Sequence, residues 1–350
     1  MSVKSKPSTS RHTDGSNGWA DWVLTRARIG LVPTLAVNDV AVVRLPLRAP
    51  FRRLREREVA IWRGEQGWVE FAPFVEYDDA AAVPWLRAAL EAATTPAPRP
   101  LRHLVPVNAT VPAVPAADVP AVLALYPGCT TAKVKVAEPG QDERDDLARL
   151  EAVRDVLGPA GRLRIDVNGR WSLDAALRLL PVYARAAGGL EYVEQPCADL
   201  DDLAALRRRV DVPVAVDESV RLGRDPRLAA RVADVVVLKV APLGGVVPAL
   251  RLAEQLDRPV VVSSALDSSV GLARGLALAA ALPDLPYACG LGTGALLAED
   301  VTDDPLLPVD GQVAARPVTV SPQRLAALAA PSARAAWWRS RLERVGEVVR

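Results

Sequence analysis

The sequence predicts an α/β chain: a closed barrel of parallel strands preceded by a small α+β domain. Three observations point there. First, short β-branched runs begin near Leu104, Thr131, Arg162, Gly189, Pro213, Asp234, Pro259 and Pro286, spaced 21 to 31 residues apart. Second, most intervals hold a segment with apolar residues three and four apart, the helical spacing; alternating strands and helices build parallel sheets through right-handed crossovers. Third, residues 19–103 carry a different pattern of three strands and one helix. Eight units suggest closure into a barrel. The alternative is an open doubly wound sheet, but no phosphate-binding glycine fingerprint follows the first strand.

Taken in order, residues 1–18 are polar and read as a disordered tail. In residues 19–103 the strands are Val40–Leu47, Glu58–Trp62 and, after the turn signal Gly64–Gly67, Trp68–Phe74. Ala80–Ala93 has helical spacing, and the proline-rich Thr94–Pro106 reads as a linker. The barrel domain spans 104–294, with helices at Asp142–Leu157, Ser172–Ala187, Leu200–Arg209, Val246–Leu256 and Ser269–Ala281. Residues 295–350 return to the small domain, through a helix at Ser332–Val345 whose Trp337 and Trp338 are packing anchors.

Composition excludes several classes. The net charge of +1 gives no field for nucleic acid or an anionic membrane. No apolar run reaches the ~20 residues of a membrane span, and no signal-peptide core opens the chain. Cys129, Cys197 and Cys289 are odd in number, far apart and without a CxxC pair. That argues against a cysteine metal site and for a reducing, cytoplasmic setting. A monomer is expected.

Lysine usage is more telling. The chain has five lysines, and three of them, Lys133, Lys135 and Lys239, interrupt apolar strand runs. Arginine keeps its proton in a protein, whereas lysine can lose it. In a parallel barrel the site forms at the C-terminal strand ends. There the sequence places Lys133 and Lys135 on one face of one strand, then Asp166 and Asn168, then Glu194 and Gln195, then Asp217 and Glu218, then Lys239, then Ser263 and Ser264. The last strand ends in Gly290-Leu291-Gly292-Thr293-Gly294, either close packing or backbone N–H groups facing an anion. Three converging carboxylates need a cation, and an all-oxygen set suits Mg²⁺ or Mn²⁺. His12 and His103 lie in the tail and linker, so a lysine is the expected base. Such a metal can chelate a substrate carboxylate and stabilise the enediolate left when a lysine takes the α-proton. Singly, each acid could be a cap or surface group, and the lysines could snorkel to water. Asn168, Gln195 and Glu218 are expected behind the ligands or as alternative oxygen ligands, Ser263 and Ser264 either in core packing or hydrogen-bonded to substrate, Gly292 near substrate, and Arg164 in an ion pair on the face it shares with Asp166.

The run Lys133-Val134-Lys135, Asp166-Val167-Asn168, Glu194-Gln195-Pro196, Asp217-Glu218-Ser219 and Lys239 resembles the muconate-cycloisomerase-like branch of the enolase superfamily. Val107–Pro112, Thr131–Gln141, Glu191–Cys197, Leu238–Gly245, Ser263–Gly271 and Ala288–Gly294 resemble its actinobacterial o-succinylbenzoate synthases, from about Trp22 to about Arg341. The resemblance implies a (β/α)7β-type barrel under an α+β cap completed by the C-terminal tail. It implies Mg²⁺-dependent syn-dehydration of 2-succinyl-6-hydroxy-2,4-cyclohexadiene-1-carboxylate, in menaquinone synthesis. It further implies Asp166, Glu194 and Asp217 as metal ligands, Lys135 as base, Lys133 as the cation lowering the pKa of Lys135, and Lys239 as a cation on the opposite face. Pro50–Arg57 is the candidate lid. An N-succinylamino acid racemase or dipeptide epimerase of the same branch is the alternative, and a non-catalytic ligand-binding barrel the alternative of another class.

Overall fold

The computed structural model describes residues 39–223 and 225–349. The expected 1–18 tail, and the part of the small domain before residue 39, lie outside the described residues.

The cap begins with an antiparallel sheet of β1 (Ala41–Phe51), β2 (Leu54–Gly64) and β3 (Gly67–Phe71), in the order β1-β2-β3. β1 and β2 run longer than their apolar patterns because they meet in a two-residue turn at Arg52 and Arg53, both with positive φ (50° and 63°). That is the conformation a tight hairpin needs, built here without glycine. β3 stops at Phe71, short of the expected Phe74. Helix α1 (Asp79–Thr94) follows, its first turn capped by the Asp78 carboxylate accepting from the Ala81 N–H.

The chain then enters the barrel. The apolar run from Leu104 divides at Pro106, which has no N–H to donate. β4 (Leu104–Pro106) leaves the barrel and pairs antiparallel with a later strand, while β5 (Ala109–Val111) opens the ring. α2 (Val119–Leu123), β6 (Thr131–Lys135), α3 (Glu143–Leu157), β7 (Arg162–Asp166), α4 (Leu173–Ala186), β8 (Tyr192–Glu194), α5 (Leu200–Arg207) and β9 (Val214–Val216) follow. Two short helices unexpected from the sequence, α6 (Glu218–Arg221) and α7 (Pro226–Arg231), lead to β10 (Val235–Leu238), α8 (Val246–Gln255), β11 (Val260–Val262) and α9 (Ser269–Ala281). β5 to β11 form one parallel sheet in sequence order. The eighth segment is reduced to parallel bridges from Cys289 to Val107 and from Gly290 to Ser263. Those bridges join the two sheet edges and close the ring.

Along the barrel strands period-two alternation sends one set of side chains to the helices and the other to the axis. The axial layer holds Tyr192, Ala215, Val235, Val237 and Val261. Two residues further along their strands come Glu194, Asp217, Lys239 and Ser263, so the polar residues occupy the next layer, at the C-terminal mouth.

The C-terminal segment adds β12 (Gln312–Ala314), paired with β4, then α10 (Pro322–Ala327) and α11 (Ser332–Val349). Trp338 is fully buried edge-on to Phe71 of β3, and its indole N–H donates to Glu58 of β2 at 2.9 Å. Val43, Leu45, Val59 and Ile61 of the cap share a core with Val270 of α9 and Leu297, Val301 and Val320 of the tail. Cap, barrel and tail are thus packed by one apolar seam. Among the described residues no helix is long and apolar enough to cross a membrane.

Candidate active site

The three strand lysines and three strand acids meet at the mouth. The register aligns Lys135 with Asp166, and Asp166 with Glu194, across neighbouring strands. All six side chains are buried or nearly so. Lys133 Nζ donates to both oxygens of Glu194, at 2.7 and 2.8 Å, and lies 3.4 Å from Asp166. Lys135 Nζ donates to Asp166 and to the Asn168 amide oxygen, each at 2.6 Å. Lys239 Nζ donates to Asp217 at 2.6 Å. Among the described residues no three acid, thiol or imidazole side chains are gathered tightly enough to cage an ion; ammonium groups stand against each of the three acids.

The two neighbouring lysines are electrostatically unlike. Burial alone lowers the pKa of each. For Lys133 the charges of Glu194 and then Asp166 outweigh burial and hold its proton firmly. For Lys135 burial prevails: Asp166 pulls its pKa up, Lys133 pushes it down, and the net shift is downward. Lys135 is therefore the amine readier to lose a proton. Burial pushes Glu194 up to about 7, and Lys133 offsets this only in part because Asp166 and Asp217 repel its charge. Burial acts on Asp166 and Asp217 as well, yet Lys135 holds the first and Lys239 the second below the ordinary carboxylate range.

Other side chains complete the mouth. The cleft is lined by Phe51, Arg52 and Phe74 of the cap and by Thr110, Ser263, Ser264, Ala265, Leu266, Gly290 and Thr293 of the barrel, around Lys133, Lys135, Asp166, Asn168 and Lys239. Lys135 Nζ sits 5.4 Å from the centroid of Phe51, and the Arg52 guanidinium lies over Phe74. The expected lid segment thus brings Phe51 and Arg52 to the cleft. Ser264 shares a 2.6 Å hydrogen bond with Thr293.

The other expected residues take the following positions. Gly292 is not in the lining; a Cβ there would meet the Asn108 carbonyl and Tyr126, and Gly290 and Thr293 face the cleft instead. Gln195 turns away with φ of 42°. Its amide oxygen accepts from the backbone N–H of Asp217 and Ser219, so it holds the turn that carries Asp217. Glu218 accepts from Asn168 at 3.1 Å. Arg164 pairs with Glu191 at 2.5 Å, not with Asp166. Alternate residues of a strand stand about 6.6 Å apart, and the guanidinium reaches toward the barrel floor, against Tyr192, Tyr287 and Asn108. Sequence reasoning also missed Thr110, Leu266 and Phe74; their only signal was position near strand ends or beside the lid.

Residues 42–93 match the enolase N-terminal domain-like family and residues 120–319 the enolase C-terminal domain-like family. A capped barrel matched by both families in this order is of the enolase class. Its fold is shared with muconate lactonizing enzyme from Pseudomonas putida (TM-score 0.69, 20% identity, covering 83% of this chain and 98% of that one). It is shared too with the L-Ala-D/L-Glu epimerase from Bacillus subtilis (TM-score 0.68, 22% identity, 81% and 96%). Higher identity is found with o-succinylbenzoate synthases: 56% with that of Mycolicibacterium smegmatis, over 88% of this chain and 96% of the relative, and 59% with that of Thermobifida fusca, over 81% and 89%. The chain belongs to the o-succinylbenzoate synthase family of the enolase superfamily. Enzymes of that superfamily generally use a divalent metal ion.

Proposed function

We propose that this protein is an o-succinylbenzoate synthase, a lyase that removes water from 2-succinyl-6-hydroxy-2,4-cyclohexadiene-1-carboxylate in menaquinone synthesis. Family membership points to the reaction. The observation that carries the chemistry is geometric: Lys133 and Lys135 stand on one strand and Lys239 on another, and all three amines meet Asp166, Glu194 and Asp217 at one buried mouth.

The donor set suits a hard divalent cation: Asp166, Glu194 and Asp217 offer only oxygen, and their buried negative charge calls for compensation. These three would hold Mg²⁺, with Mn²⁺ a substitute. When bound, the ion supplies Lewis-acid stabilisation of the charge that builds on the substrate carboxylate.

Lys135 takes the proton from the carbon next to that carboxylate. The C–H electron pair forms the new ring double bond, the C–O bond breaks on the same face, and the proton leaves with the hydroxyl as water. Lys133 keeps its charge throughout and holds down the pKa of Lys135. Lys239, across the ring of strands against Asp217, places a cation on the opposite face and needs no proton exchange for elimination. The same amine is what a racemase or epimerase would use as its second acid/base, so those activities are the second reading. Phe51, Arg52 and Phe74 cover the mouth from the cap and limit access of water. The substrate is a small carboxylate, and we place the chain in the cytoplasm as a monomer.

The test is an ultraviolet assay for aromatic product with the cyclohexadiene substrate, with and without EDTA. Turnover that EDTA abolishes and Mg²⁺ restores is the expected result. Metal-independent turnover, or none, overturns the proposal, as does a Lys135→Ala enzyme that keeps its rate.

A further inference from the structure

We infer that Arg221 is a positioning residue that links docking of the cap to the alignment of both active-site lysines; this rests on the roles proposed above for Asp217, Lys135 and Lys239. Arg221 is the last residue of α6, and its side chain is 3% exposed. Its guanidinium donates in three directions. Nε reaches Asp217 Oδ1 at 3.2 Å, Nη2 reaches Glu218 Oε1 at 2.7 Å, and Nη1 reaches the Tyr77 hydroxyl at 2.5 Å.

Two of these contacts lead inward. The other oxygen of Asp217 accepts from Lys239 at 2.6 Å. The same Glu218 oxygen accepts from the Asn168 amide, whose own oxygen accepts from Lys135 at 2.6 Å. One guanidinium therefore stands two links from Lys239 and three from Lys135, every link a hydrogen bond of 2.6 to 3.2 Å. The planar fork serves three acceptors from three separate nitrogens, whereas the three N–H groups of a lysine all leave a single atom.

The third contact leads outward. Tyr77 precedes α1 in the cap, and its ring packs edge-on to Phe74 (5.5 Å) and Trp85 (6.4 Å). Phe74 is itself part of the cleft lining, beneath Arg52. If the cap shifts, Tyr77 withdraws its hydroxyl, and Arg221 loses the contact that fixes its rotation. Asp217 and Glu218 then lose their common partner. The cap thereby sets the lysines through hydrogen bonds as well as by covering them.

The test is a double-mutant cycle with three readouts. Tyr77→Phe deletes one hydroxyl and keeps the ring. Arg221→Met deletes the fork. Steady-state rates, Mn²⁺ binding by electron paramagnetic resonance and thermal melting are measured for the wild type, both singles and the double. Arg221→Met is expected to lower kcat about 10- to 100-fold, the usual size for outer-shell partners. Mn²⁺ should bind it as tightly as the wild type or more so, because a competing cation facing Asp217 and Glu218 is gone. Tyr77→Phe is expected to lower kcat about 3- to 10-fold alone and less than about 1.5-fold in the Arg221→Met background, the non-additivity of a shared network. If Arg221→Met does not fold, Arg221→Gln, which also removes the cation, replaces it with the same expectation. Additive losses, Mn²⁺ affinity falling in step with kcat, or an unchanged kcat in Tyr77→Phe each overturn the inference. A wild type that neither binds Mn²⁺ nor turns over overturns the functional reading itself; one that does both, with additive variants, overturns the inference alone.

Discussion

Glu70 gives the seam between cap and barrel a calculable pH dependence. It lies on β3, and its carboxylate accepts from the Ser268 N–H at 3.2 Å and from the Ser268 hydroxyl, the group that caps α9. Loss of water around it raises its pKa to about 8; Asp267 pushes the same way, Ser268 and Arg57 pull back, and Asp300 adds a smaller push. A carboxyl that holds its proton more tightly folded than unfolded stabilises the fold fully below about pH 4.5 and loses that contribution as pH rises through about 8. Between pH 6 and 8 the two pKa values give a loss of about 2 kcal/mol at most. Glu70 keeps some contact with solvent, so about 1–2 kcal/mol is the expected size. For a chain of this size that lowers the melting temperature by about 2 °C. Glu70→Gln keeps an acceptor for Ser268 and removes the charge that Asp267 repels. Melting temperatures from pH 5.5 to 8.5 by calorimetry should show a flatter slope in the variant, and a variant that melts above the wild type at pH 8. An unchanged slope, or a variant that is less stable at pH 8 yet equal at pH 6, refutes the reasoning.

Three further outcomes are expected. Lys239→Arg keeps a cation but cannot give up a proton, so dehydration should stay measurable while any racemisation of N-succinylamino acids disappears; equal loss of both counts against the division of roles. Trp338→Ala empties a fully buried site and removes the indole hydrogen bond to Glu58, so unfolding free energy should fall by about 3–5 kcal/mol in a urea titration. A loss below 1 kcal/mol would mean α11 does not hold the cap. Arg53→Gly relieves a positive φ of 63° at the β1–β2 turn, and calorimetry should find it stabilising by up to about 1 kcal/mol with kcat intact.

What the sequence made legible follows from range. Lys133, Lys135, Asp166, Glu194 and Asp217 could be placed because period two and parallel pairing are local rules, and each residue interrupts an apolar run where its strand ends. Arg164 obeyed the face rule but found Glu191, because the rule names a side of the strand and not the height a long side chain reaches. The first strand was set early because Leu104–Val111 reads as one run, and only the missing N–H of Pro106 divides it between two sheets. The eighth faded to single bridges where Pro286 and the small residues after it leave little to pair. Arg221 and Tyr77 left no signal: 144 positions separate them, and α6 is a single turn that periodicity cannot reveal. Their contact exists only because the cap packs on the barrel, and that packing is fixed by Trp338, Val270 and Leu297 far along the chain. The side chains proposed to do the chemistry obey local strand rules, whereas the atoms that hold them in register depend on the tertiary assembly. Variants that loosen the cap should therefore lower kcat before they lower metal affinity.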